Sequence, residues 1–172
     1  LKPYMVSCRK LTARKQEENV EAANLVKNDG NRINLDGATV EVFAERLRGE
    51  LLTPSAKRYD EVRAIWNAMI DKHPAIIARC SGVADVMHAV RVAGDEGLMV
   101  SVRGGGHNIA GNAVWDDGLM IDLSRMNGVR VDAGAKTAKV GPGATLGDVD
   151  RETQKELDET ALNMFLQESS GT

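Results

Sequence analysis

The chain has 172 residues, 42% of them hydrophobic and 27% charged, which suits one globular domain with a sizeable core. A formal net charge of -3 and only two Trp, two Tyr and two Phe leave neither a basic footprint nor a stacking platform, which excludes nucleic acid as the expected partner. No apolar run approaches the roughly 20 residues of a membrane span, the N-terminal residues carry no secretory h-region, and Cys8 and Cys80 form neither a C-x-x-C nor a metal-ligand spacing. A reduced, cytoplasmic setting is expected.

In chain order, residues 1–36 are polar and weakly patterned, and read as a partly helical or mobile extension with a turn at "NDGN" (28–31). "TVEVFAERLR" (39–48) predicts a short helix capped by Thr39, with Val42, Phe43 and Leu47 on its apolar face. "GELLTPSAKRYDE" reads as a loop into a second helix over 58–71, where Val62, Ile65, Trp66, Met69 and Ile70 fall at i, i+3, i+4, i+7 and i+8. Pro74 disfavours helical geometry at His73 and ends it. "AIIARC" (75–80) predicts a strand. A helix follows, with Ser81 as cap, Asp85 favoured by the dipole, a face of Val83, Val86, Met87, Val90 and Ala93, and Gly97 at its end. "LMVSV" (98–102) is the next strand, and strand–helix–strand of this length implies a parallel crossover. Beyond it, "GLMIDLS" (118–124), "GVRVD" (128–132) and "TAKVG" (137–141) read as an antiparallel meander, and "GPGATLGDVDRETQ" turns into a helix capped by Thr145. The fold class is therefore α+β, a small parallel α/β subdomain followed by an antiparallel meander.

Chemistry concentrates in "RGGGHNIAG" (103–111). Glycines at the carboxyl end of a parallel strand can aim several backbone N–H groups at one anion and admit a flat ligand where a Cβ would intrude. A tight strand-to-loop turn is the plainer alternative. No G-K-[ST] run exists, and the dinucleotide fingerprint fails because Ile109 and Leu146 stand where "GGGHNIAG" and "GPGATLG" would need a third glycine. His88 reads as solvated, His73 as a residue at a helix end, Cys80 as a small core residue, and Asp122, Ser124 and Arg125 as turn chemistry.

The stretch from "ARC" through "RGGGHNIAGNAVWDDGLMIDLSRMNGVRVD" to "KVGPGATLGDVDRETQ" resembles the FAD-binding domain of the vanillyl-alcohol-oxidase superfamily (the p-cresol-methylhydroxylase type), in its berberine-bridge-like and hydroxynicotine-oxidase-like group. The likeness covers about residues 37–154, as in the first part of a bipartite FAD-binding domain. It implies a flavoprotein oxidoreductase in which Arg103, Gly104, Gly105, Gly106, His107, Asn108 and Gly111 contact the flavin, and Gly143 and Ala144 border it. It further implies a covalent bond from His107 to the isoalloxazine 8α-methyl, substrate hydride passing to the flavin, and reoxidation by dioxygen. The family's later glycine-rich stretch is replaced by "KELDETALNMFLQESSGT", so residues 155–172 read as a divergent helical tail. A substrate domain is absent from the sequence. A small-molecule substrate is expected only where such a domain is supplied, and the alternative is a non-catalytic remnant or a flavin- or anion-binding module without turnover. Uncovered apolar surface predicts self-association, partly relieved by Leu157, Ala161, Leu162, Met164 and Phe165 of the tail.

Overall fold

A computed structural model describes residues 21–156. The first segment is a hairpin of β1 (Ala23–Val26) and β2 (Arg32–Leu35), followed by α1 (Gly37–Glu45), β3 (Glu50–Leu52), α2 (Tyr59–Arg63), β4 (Ile76–Arg79), α3 (Val83–Glu96), β5 (Val100–Arg103) and β6 (Leu119–Asp122). A second hairpin, β7 (Val129–Asp132) and β8 (Thr137–Val140), leads to a helix over 146–156. The main sheet has the order β3-β4-β6-β5, with β4, β6 and β5 mutually parallel and β3 antiparallel to β4. This is the α+β arrangement expected: a parallel α/β unit, then an antiparallel hairpin. No helix among the described residues is long and apolar enough to cross a membrane.

Strand β6 sits at the centre of the sheet, where the sequence suggested the start of a meander. All four of its residues are buried. Leu119 and Ile121 join Ile76 and Ala78 in a core with Leu25, Leu35, Val40, Phe43, Ala89 and Ala93. Met120 and Ile77 face the other way, into a smaller core with Leu52, Tyr59, Val62 and Val114. A strand covered on both faces reads as a continuous apolar run, and "LMI" has that character rather than alternation. The crossover expected between β4 and β5 is present, but β6 is inserted between them.

The extension expected over 1–36 is, across the described part, an ordered hairpin. Its turn is the one expected at 28–31: Asp29 accepts the Asn31 N–H at 2.9 Å, and Gly30 takes φ +85°. Leu25 is fully buried, and the Met99 N–H donates to the Val26 carbonyl, so the hairpin closes one end of the main core. The alternation Ala23, Leu25 against Asn24 is a strand signal too short to stand out beside the helix formers upstream. Residues 1–20 and the tail beyond 156, including Leu157, Ala161, Leu162, Met164 and Phe165, lie outside the described residues.

Two helices differ from expectation. In α1 the cap is Asp36, which accepts the Thr39 N–H at 2.8 Å, and Val40 rather than Val42 joins Phe43 and Leu47 inside. Within the expected loop after it, Glu50–Leu52 pairs with β4. The second helix stops at Arg63, because Ala64 turns to φ −62°, ψ 135°. The helical bond that would continue it, Trp66 N–H to Val62 carbonyl, is replaced at both ends: the amide donates to the Gly106 carbonyl at 3.1 Å, and the carbonyl accepts the Arg103 guanidinium. Trp66 and Met69 are left exposed. His73 therefore ends no helix; its amide donates to Asp116 and its carbonyl accepts from Asp117.

Helix α3 is capped at its C-terminus by Gly97 at φ +65°, as expected. Its N-cap is Gly82, not Ser81, and makes no side-chain cap. The buried face is Asp85, Ala89 and Ala93, with Val86 and Val92 partly buried, while Val83, Met87 and Val90 are exposed. His88 is half-buried with its ring edge-on to Phe43, 5.2 Å between centroids, rather than solvated. Thr145 caps the last helix as expected, in a reciprocal pair: its amide donates to Asp148 Oδ2 at 2.9 Å, and the Asp148 amide donates back to its hydroxyl.

Candidate functional site: two glycine loops at the carboxyl edge of the sheet

Register sets the floor of the site. Arg79 pairs with Asp122 and Asp122 with Arg103, so one rung at the carboxyl ends of β4, β6 and β5 carries Arg–Asp–Arg. Asp122 is fully buried. It lies 3.2 Å from Arg79 Nε and 3.9 Å from Arg103 Nε, and it accepts both the amide and the hydroxyl of Ser124. The turn expected at Asp122 and Ser124 is present, and its carboxylate also holds two cations. Arg125 reaches past β4 to Glu50 of β3, at 2.8 Å. A carboxylate ending an apolar strand was the available signal; only strand register could supply its partners.

From Arg103 the chain enters the first glycine loop. An alanine Cβ at Gly104 would fall 2.4 Å from the Pro142 carbonyl oxygen, so backbone meets backbone there. That contact joins the loop after β5 to the loop after β8. Gly143 is seated as tightly: a Cβ would lie 2.0 Å from the Leu123 carbonyl oxygen, just beyond β6. Its amide donates to the Met126 carbonyl, and the Ala144 amide to that of Gly141. The two stretches singled out in the sequence, 103–108 and 143–144, are thus neighbours in space, about β6.

The loop then turns outward. Gly106 and Gly111 both adopt φ +74°. Asn108 closes a turn through its carbonyl, which accepts the Gly111 N–H, and through Oδ1, which accepts the Asn112 N–H at 2.9 Å. Gly111 packs on Ile70, and Asn67 Nδ2 donates to the Ile109 carbonyl at 3.0 Å, so the segment after α2 lines the loop's far side. The His107 ring is exposed and stacks on Trp66, 5.7 Å between centroids and 28° between planes. Trp66, which the sequence put on an apolar helical face, instead lies against that imidazole. The backbone N–H groups of Gly105, Gly106, His107 and Asn108 meet no acceptor among the described residues.

Those observations define what the site can take. Unpaired amides on successive residues, in a loop without Cβ atoms over three positions, suit the oxygens of a phosphate or pyrophosphate. The exposed imidazole of His107, next in the loop, adds a ring nitrogen as a potential nucleophile. Among the described residues no cluster of His, Cys, Asp or Glu is arranged to hold a metal. Cys80 takes no part: it is fully buried, and burial, followed by the charges of Asp85 and Asp122, pushes its thiol up to about 11. It will resist iodoacetamide at pH 8 in the folded protein and react once unfolded, as read by peptide-resolved mass spectrometry at Cys80.

Comparison with known proteins agrees with this geometry. The model of a family described as FAD binding domain matches residues 74–166. The (R)-6-hydroxynicotine oxidase of Paenarthrobacter nicotinovorans is 38% identical over 109 residues, 63% of this chain and 24% of that protein. The crystal structure of 6-hydroxy-D-nicotine oxidase from Arthrobacter nicotinovorans superposes with a TM-score of 0.61 at 38% identity, covering 63% of this chain and 24% of that one. A berberine-bridge-enzyme-like protein (BBE-like 1) of Physcomitrella patens gives 0.59 at 27% identity, over 63% and 24%. The chain spans about a quarter of the length of these relatives. Its two glycine loops, the parallel sheet beneath them and a family match over more than half its length lead to one conclusion: the chain belongs to the FAD binding domain family, that of FAD-linked oxidoreductases.

Proposed function

We propose that the chain holds FAD for a flavin oxidase and bonds it covalently through His107. The observation that carries this reading is the meeting of the two glycine loops at Gly104 and Pro142, with unpaired amides running up to an exposed imidazole. Gly105, Gly106, His107 and Asn108 would offer their N–H groups to the pyrophosphate, while Arg103, anchored by Asp122 and the Val62 carbonyl, fixes where the loop begins. Gly111, Gly143 and Ala144 would border the cofactor, the glycines by keeping the backbone close. When bound, the flavin accepts a hydride from a small-molecule substrate and returns the electrons to dioxygen. His107 would contribute a ring nitrogen to a bond with the 8α carbon. That bond replaces one C–H and one N–H, and the two protons and two electrons pass to dioxygen as hydrogen peroxide.

The test is the intact mass of the denatured protein after expression with ample FAD. Wild type is expected to gain one FAD less two hydrogens, and His107→Ala to gain nothing covalent. A wild-type mass without flavin overturns the attachment. Substrate-dependent bleaching of the bound flavin then separates a catalytic unit from a flavin-holding module with no turnover of its own.

A further inference from the structure

We propose that Trp66 is a positioning residue for His107: its indole face holds the imidazole in the orientation from which the ring nitrogen attacks. This rests on the attachment through His107 proposed above. The two rings stack at 5.7 Å and 28°. Aromatic rings at such separations attract beyond the area they bury, which suffices to favour one orientation of an otherwise exposed side chain.

The placement of Trp66 has its own cause. Its amide is tied to the Gly106 carbonyl at 3.1 Å, one residue before His107, while Arg103 occupies the Val62 carbonyl that would have kept Trp66 in a helix. Asn67, the next residue, is tied to the Ile109 carbonyl, two residues after His107. The segment after α2 is thereby held to the loop on both sides of the histidine. Trp66 as a whole remains 67% exposed. A tryptophan so open to water contributes little to the core, and its nearest ring partner is the one imidazole of the glycine loop. Because main-chain and Asn67 bonds hold the segment, removing the indole leaves the loop in place and frees only the His107 ring.

The experiment uses the full chain in a Trp115→Phe background, so that Trp66 is the only tryptophan, with excitation selective for indole. Without FAD, His107→Ala is expected to raise Trp66 emission, because a stacked imidazole quenches indole fluorescence; unchanged emission overturns the stack and the proposal with it. With FAD, and with Trp115 intact, Trp66→Ala is expected to slow covalent attachment by about tenfold or more, as misplacement of a reacting group does. Trp66→Phe is expected to restore most of the rate. Noncovalent FAD affinity and thermal midpoint should be nearly unchanged in both. Equal attachment rates in wild type and Trp66→Ala overturn this inference alone. Loss of noncovalent affinity in parallel with the rate assigns Trp66 to binding and also overturns it. Absence of covalent flavin in wild type overturns the attachment and, with it, the positioning role of Trp66.

Discussion

Asp85→Ala will destabilise the protein by about 3–5 kcal/mol, the cost of leaving several buried donors without an acceptor. The carboxylate is almost fully buried. It accepts the amides of Arg48 at 2.9 Å, Gly49 at 3.0 Å and Ser81 at 2.9 Å, and the Ser81 hydroxyl at 3.0 Å. It therefore joins the entry to β3 and the turn after β4 to the first turn of α3. Gly49 belongs to the same knot, because a Cβ there would lie 1.9 Å from the Arg79 carbonyl oxygen. Burial acts to raise the Asp85 carboxyl, but the hydrogen bonds from Arg48, Ser81 and Gly49 outweigh it and hold the group below its usual range. A lowered folded value means that the stabilisation is present above the unfolded value, about 3.9, and is lost as pH falls through the folded one. Urea unfolding of wild type and Asp85→Ala should show the full difference at pH 7 and a shrinking one as the pH is taken below about 4. A constant difference across that range would mean that the carboxylate's charge plays no part.

Gly143→Ala and Gly105→Ala will separate the two uses of glycine in the site. At Gly143 the added methyl would lie 2.0 Å from Leu123 O and 2.8 Å from Ser124 Cα, both backbone atoms that no rotamer change can move. The 141–145 loop must lift from the end of β6, at a cost of about 1–3 kcal/mol, the usual range for overpacking. FAD affinity should fall with it. At Gly105 the methyl would meet only His107 Cδ2 at an ordinary 3.5 Å, on the exposed side of the loop. That variant should melt like wild type yet bind FAD at least about tenfold more weakly, because the methyl intrudes where the ligand approaches, a loss of about 1.4 kcal/mol. Equilibrium titration with FAD and thermal unfolding, measured on both variants, check the pair. Gly147→Ala, whose methyl would meet nothing closer than Thr145 Oγ1 at 3.8 Å, is the control.

What the sequence determined by itself was local. "AIIARC" and "LMVSV" declare strands through short, mainly apolar runs, Gly97 ends α3 where φ must be positive, and Thr145 with Asp148 forms a cap within four residues. The glycine–histidine loop was legible for the same reason, since three adjacent glycines before an imidazole are a backbone statement needing no partner. Family likeness then supplied the expectation of FAD, which we propose it holds. Tertiary structure decided whatever depended on a distant partner. The 58–71 pattern has flawless helical spacing, yet the helix ends at Arg63, because Gly106 and Arg103 take the Trp66 amide and the Val62 carbonyl. Trp66 thereby left the expected core for the face of His107. "GLMIDLS" could be a meander strand or a central one until β4 and β5 closed on either side, and only that pairing set Asp122 between Arg79 and Arg103. Spacing along a chain fixes which side chains share a face; which hydrogen-bonding groups remain free to extend an element depends on what the rest of the fold brings against them.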